Sequence, residues 1–363
     1  MKKLLMMMGA TASLMGCGEF RSDARPEILP ETLPKAASKA PAESNAPAES
    51  KVPAINDGLT VNAAEITGDD AVVRFSDILD QYRALNTRLE DVTARLQLAN
   101  APLCSQIVRD PGYTVHTLSD YPAQLQQVAR SFLSVDEGLS VRTVRAGGPA
   151  QLAGIAAGDR LVGVNGRRFA GGLTQRKFYE RVTQTAFESE RATLIIARPI
   201  AEAEPNIMSF ELRPQNICGF PAHVVFDETV NGHTDGSAIW ITSELMRTVD
   251  DDVNLALIVA HEMAHAMAGH VQLTPTDEER KSLELMADSM ALVMLARADF
   301  DLGRAISYWT RADNPQRLSQ SRSETHPSIT QRLQNFEAAQ RAVKTAQREG
   351  RALDFSILPP PAL

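Results

Sequence analysis

His261-Glu262-Met263-Ala264-His265 decides how the rest of this 363-residue chain is read. Side chains four apart on a helix share one face, so the two histidines present two imidazole nitrogens to one point, as a zinc ion requires. In an HExxH pattern the glutamate is not a ligand but the general base toward the attacking water, which assigns that role to Glu262. The helix is legible on its own terms. Asp250-Asp251-Asp252 supply a capping side chain and negative charge at its start, Leu255 to Ala260 is an unbroken apolar run, and Gly269 stands where a C-terminal stop belongs. A helix that is apolar all round is buried, so its histidines must open into a cleft. The competing reading is a buried helix whose histidines only satisfy hydrogen bonds.

A catalytic zinc takes three protein ligands and keeps one position open. Downstream, Glu284-Leu285-Met286-Ala287-Asp288 falls in a second helical segment that opens at Thr274-Pro275 with Asp277 and Glu279 in its first turn. Glu284 and Asp288 are again four apart. Glu284 completes a His, His, Glu set, and Asp288 is placed to hold the outer nitrogen of a ligating histidine. Ala260, Ala264, Ala287 and Ala291 let the two helices approach closely. His270 competes for the third position, but the longer HExxHxxGxxH pattern needs Gly at 268 and His at 271, where this chain has Ala268 and Val271. His270 is therefore read as a helix-end histidine near the negative end of the helix dipole.

These motifs, followed by Thr325-His326-Pro327-Ser328 and Arg332, resemble the HtpX-like metallopeptidases, the family that also holds the CaaX prenyl endopeptidases. The resemblance covers about the last 150 residues. It implies a zincin-type endopeptidase with one zinc per chain, and it places His326 and Arg332 near the active site as auxiliary or transition-state-stabilising groups. Relatives often carry Asn-Ala-Phe before the strand that borders the cleft, where this chain has Asn231-Gly232-His233, so a differently shaped groove is expected. The segments around His223 to Asp227 and Ser237 to Thr242 alternate as strands. Ala238, Ile239 and Trp240 are the expected contact for a substrate backbone added to the sheet edge.

The N-terminal 17 residues read as a targeting segment, too short to span a bilayer, and Leu14-Met15-Gly16-Cys17 resembles a bacterial lipobox, which implies lipidation at Cys17. Gly18 after the cysteine favours the outer membrane, facing the periplasm. From Glu19 to Asp57 the chain is rich in Pro, Ala, Glu, Ser and Lys and cannot bury enough apolar surface to offset its ordering entropy, so it is read as a flexible tether. Ile78, Tyr82, Leu85, Leu89, Val92 and Leu96 then recur at helical spacing over 71–100.

Gly138-Leu139-Ser140-Val141, Gly147-Gly148-Pro149-Ala150, Gly158-Asp159-Arg160-Leu161 and Val164-Asn165-Gly166 are closely similar to bacterial PDZ domains. That resemblance implies a small β-rich unit binding peptide C-termini, with Gly138, Leu139, Ser140 and Val141 expected at the peptide. Two of the three cysteines, Cys104 and Cys218, flank this unit, and in an oxidising compartment they read as one disulfide closing the ends of an insertion.

The expected fold class is α+β: a mainly helical metallopeptidase domain with a small edge sheet, and a PDZ-like domain inserted in it. The expected boundaries are 1–17 signal peptide, 18–70 linker, 71–130 and 215–345 peptidase domain, 131–214 PDZ-like domain and 346–363 loose tail. A net charge of −8 gives no footprint for nucleic acid. The expected partners are protein or peptide substrates, with the membrane reached through the N-terminal lipid. The function expected is zinc-dependent endopeptidase action on misfolded or envelope proteins in the periplasm, the PDZ-like unit recruiting substrates or regulating. One rival is a periplasmic binding scaffold with a structural zinc, which has no need of a base at Glu262. Another is an exopeptidase, which cleavage of an internal bond excludes.

Overall fold

A computed structural model describes residues 69–361 apart from 122, 134, 170–174, 201–202, 226, 250 and 312–325. The expected lipidation site Cys17 and the tether lie outside the described residues. Among those described, no helix is long and apolar enough to cross a membrane.

The chain opens with α1 (Asp69–Asn100), then β1 (Ile107–Asp110), β2 (Tyr113–His116), α2 (Ala123–Leu133), β3 (Ser140–Val144), α3 (Pro149–Ala153), β4 (Arg160–Val164), β5 (Arg167–Arg168) and α4 (Gln175–Phe187). It continues through β6 (Ala192–Ile200), β7 (Ala203–Leu212), β8 (Gln215–Cys218), β9 (Ala222–Val225), β10 (Gly232–Thr234), β11 (Ile239–Thr242) and α5 (Ser243–Thr248). Four further helices follow: α6 (Asp252–Ala268), α7 (Asp277–Arg297), α8 (Leu302–Thr310) and α9 (Ile329–Arg348). Helices and sheets are mixed in the α+β manner the sequence suggests.

Local chemistry sets the two central helices. The Asp251 carboxylate caps α6 by accepting from the Val253 N–H, and Gly269 ends it in the left-handed region at φ 69°, where a side chain would be strained. Thr276 and Glu279 form a reciprocal capping box at the start of α7. Ala260, Ala264, Ala287 and Ala291 are all fully buried, in one core with Leu89 and Leu96 of α1, Ile239 and Ile241 of β11, and Phe336 of α9. The 71–100 helical pattern thus belongs with this core.

Beside α6 lies a three-stranded sheet in the order β10-β11-β9, with β10 antiparallel and β9 parallel to β11. This corrects the expected substrate edge. Ile239 and Trp240 are in the middle strand, paired on both sides, and Ala238 only leads into it. Ile239 and Ile241 are fully buried, which is why the segment read so strongly as a strand. The terminal strand on the cleft side is β10, whose Gly232, His233 and Thr234 line the cleft. Gly232 lies so close to its neighbours that a Cβ would come within 3.0 Å of Ile241 Cδ1 and 3.4 Å of Ile258 Cγ2 on α6.

The PDZ-like unit has its own core, built around Leu139, Val141, Leu161, Leu194, Ile196 and Tyr179. Its sheet runs β2-β3-β4-β6-β7 with β5 on β4. Two expectations change here. The sheet takes in Tyr113–His116, well before residue 131, and β3 is paired with β2 on one side and β4 on the other. Ser140 and Val141 are buried and lie between strands, so this part of the expected site cannot accept an added peptide strand; the open edge on that side is β2. Four residues interrupted by a bulge between Thr114 and Val115 carry too short a period to be read from sequence.

The unit joins the helical part through an antiparallel ribbon, β1 against β8, with Ile107 opposite Cys218 and Asp110 opposite Gln215. Cys104 and Cys218 are disulfide-bonded at its base, Cα atoms 5.5 Å apart. Glu90 of α1 accepts from Arg142 and from the Thr143 hydroxyl of β3, tying the unit down beyond the ribbon, and Asp110 at the end of the ribbon pairs with Arg145.

Candidate metal centre

One α6 face carries His261 and His265, and the facing turn of α7 carries Glu284. His261 Nε2 and His265 Nε2 are 3.1 Å apart, and the Glu284 carboxylate lies 3.3 Å from the first and 3.5 Å from the second. Zinc bonds of about 2.0–2.1 Å at tetrahedral angles would put donor atoms about 3.3 Å apart. Two imidazoles and a carboxylate at these separations therefore fit a zinc ion with one position left open. Among the described residues, this is the cluster of three such side chains able to hold a metal.

Burial alone would lower the His261 imidazole, but hydrogen bonds to the Asp288 and Glu284 carboxylates outweigh it and hold His261 at about 10. Burial and the neighbouring His261 charge push His265 down to about 3, so it stays neutral and can accept. The Glu284 carboxyl is lowered, its burial overcome by the hydrogen bond and charge of His261.

The outer nitrogens are also held. His261 Nδ1 meets Asp288 Oδ1 at 3.0 Å, the partnership expected from the four-residue spacing. Asp288 is in turn gripped by Arg332, whose Nε donates to Oδ2 at 2.8 Å and whose Nη2 donates to Oδ1. The Arg332 guanidinium stacks 3.8 Å over the Trp309 ring and is almost wholly buried. Of the two roles expected for Arg332, auxiliary or transition-state-stabilising, this grip on Asp288 is an auxiliary one, acting on the metal site through Asp288, and Arg332 also lines the cleft. His270, read from sequence as a helix-end group, places Nδ1 2.9 Å from His265 Nδ1. The available signal was Gly269, whose left-handed turn folds the chain back along α6.

These groups line a cleft of about 530 Å³. Glu262 and His326 face it, β10 forms one wall, and Leu273, Pro275 and Leu283 stand among the other lining residues. Burial raises the Glu262 carboxyl to about 7, so it can take or give a proton near neutrality. Burial lowers the His326 imidazole. Gly138–Val141 and Ala238–Trp240 do not line this cleft.

Residues 227–276, which span β10, α6 and both histidines, match the family model for peptidase family M48. Over this segment the chain is similar to the M48 peptidases. Residues 140–197 match a PDZ domain model. The M48 match implies a metallopeptidase, and the PDZ match a protein-interaction module. Among solved structures, the chain is similar to the PDZ domain of HtrA3 bound to a phage-derived ligand, at 23% identity over 31% of this chain and 93% of that one, with a TM-score of 0.23. It is also similar to the PDZ domain of a carboxy-terminal protease from Vibrio cholerae in complex with peptide, at 18% identity over 31% and 97%, with a TM-score of 0.21. No curated protein matches the sequence.

Proposed function

We propose that this chain is a zinc endopeptidase that cleaves misfolded or envelope proteins in the periplasm, lipid-anchored to the outer membrane at Cys17. The observation that carries the reading is the His261, His265, Glu284 triangle with Glu262 beside it in a cleft bordered by the terminal strand β10. Zinc held by those three side chains would polarise the scissile carbonyl and acidify the attacking water. Glu262 takes the proton from that water and, with its carboxyl near 7, returns it to the leaving amine. The β10 edge binds an extended polypeptide by main-chain hydrogen bonds, a mode that recognises backbone within a chain and favours internal bonds over termini. Arg332 fixes Asp288, and Asp288 fixes the His261 ring.

The PDZ-like unit recruits or senses free C-termini by adding them to the open β2 edge. The lipobox supports the anchor and the Cys104–Cys218 bond suits an oxidising compartment. The alternative, a scaffold with a structural zinc, gives no reason for the Glu262 carboxyl facing the cleft beside the metal site. The full chain should degrade unfolded casein at internal bonds, lose that activity to a zinc chelator and regain it with zinc. Glu262→Gln should keep about one zinc per chain with no turnover. Zinc loss in Glu262→Gln equal to that in His265→Ala would sink the role assignment.

A further inference from the structure

His265 points Nε2 at the other two donors and Nδ1 away from them, toward His270. The two rings meet edge to face at 77°, centroids 4.9 Å apart. The chain reaches this position because Gly269 turns it back in the left-handed region and a 3-10 turn, His270–Gln272, follows at once. His270 is 7% exposed, and among the described residues its Nε2 is buried with no hydrogen-bond partner.

Two ring nitrogens 2.9 Å apart share one hydrogen. When His265 offers its Nε2 lone pair to a metal, its hydrogen must sit on Nδ1, which makes His265 the donor and His270 Nδ1 the acceptor. The hydrogen of neutral His270 is then on Nε2, the atom that finds no partner. A buried N–H left unsatisfied is destabilising, and an aliphatic side chain here would avoid it. What the imidazole supplies in return is a neutral acceptor. The cleft already holds the carboxyl groups of Glu262, Glu284 and Asp288. A fourth carboxylate behind His265 would add like charge to that group, whereas His270 fixes the tautomer and the ring plane without adding any.

We propose that His270 is a positioning residue for the metal, holding His265 in its Nδ1–H tautomer as the neutral counterpart of the Asp288 and Arg332 pair behind His261. The proposal rests on the zinc reading of the His261, His265, Glu284 set. It is tested with the full chain by chelator competition for zinc in the wild type, His270→Phe and His270→Asn, with long-range nitrogen–proton NMR of the zinc-loaded wild type. Phenylalanine keeps the ring volume but cannot accept; asparagine puts a carbonyl oxygen near the place of Nδ1. His270→Phe should bind zinc about 10–100-fold more weakly, and His270→Asn should recover most of the loss. The NMR spectra should show His265 as Nδ1–H and His270 as Nε2–H. Wild-type zinc affinity in His270→Phe, a His270→Asn loss as large as that of phenylalanine, or an Nδ1–H tautomer at His270 would overturn the proposal. Should the phenylalanine variant fail to fold, the wild-type tautomers decide alone. A wild-type chain that takes up no zinc, or keeps it in His265→Ala, overturns the underlying zinc reading and the role of His270 with it.

Discussion

Replacing Arg332 with methionine separates a structural cation from a catalytic one. Arg332 and Asp288 are 2% and 1% exposed, so the substitution leaves a buried carboxylate that has lost its guanidinium partner. Breaking such a buried pair from one side costs roughly 3–5 kcal/mol. His261 remains 3.0 Å from Asp288 as a second partner, which places the expectation near the lower limit, about 3 kcal/mol. Asp288→Asn alone should also destabilise. The double variant removes both charges together, so it should be more stable than the sum of the singles by about 2 kcal/mol. Urea unfolding of the chelator-treated chain measures this by tryptophan fluorescence, since Trp309 lies under the guanidinium and the other tryptophan, Trp240, is in the cleft-side sheet. With zinc, Arg332→Met should lose about 10–100-fold in metal affinity because the His261 ring is no longer held through Asp288. A variant with wild-type stability and zinc affinity but abolished kcat would refute this account and return Arg332 to the substrate.

Three further outcomes are expected. Cys104→Ser opens a loop whose ends are 114 residues apart in sequence and should lower stability by about 4 kcal/mol, read as a fall in Tm under oxidising conditions that vanishes when both proteins are reduced. Burial would raise the Asp235 carboxyl, but N–H groups of Ala238 and Ser237 outweigh it and hold it at about 2, against 3.8 when free. A lowered carboxyl stabilises above its free value, so the β10–β11 hairpin should keep its full stability above about pH 4 and lose it as pH falls toward 2. Hydrogen exchange of the β10 and β11 amides checks this, and Asp235→Asn should remove the dependence. A peptide with a free apolar C-terminus should shift the amide resonances of Tyr113–His116 more than those of Gly138–Val141, and should change the rate on a short blocked substrate. Amidating its C-terminus should abolish both effects.

What could be read without the fold is what depends on distance along one helix. The periodicity of an α-helix fixes the direction of side chains four apart, so His261 with His265 and Glu284 with Asp288 were each aligned before any packing was considered. Caps are equally local: Asp251 and Gly269 bound α6 through groups within three residues of its ends. Cys104 and Cys218 could be paired in advance because they bracket a recognisable unit. The features misread or left open all depend on partners far away in sequence. An edge strand differs from a middle one only by what lies beside it. Ile239-Trp240-Ile241 looked like the sheet edge until β10 and β9 were found on either side, and Ser140 and Val141 looked like part of a peptide site until β2 arrived from 25 residues upstream. Arg332 carries the same charge whether it faces substrate or Asp288, and only the closure of α9 onto α7 sets its partner. His270 is outside the helical repeat that aligned the other two histidines, so a left-handed turn at Gly269, and not spacing, brings it to His265. Local periodicity orients side chains, while long-range packing decides which of them meet.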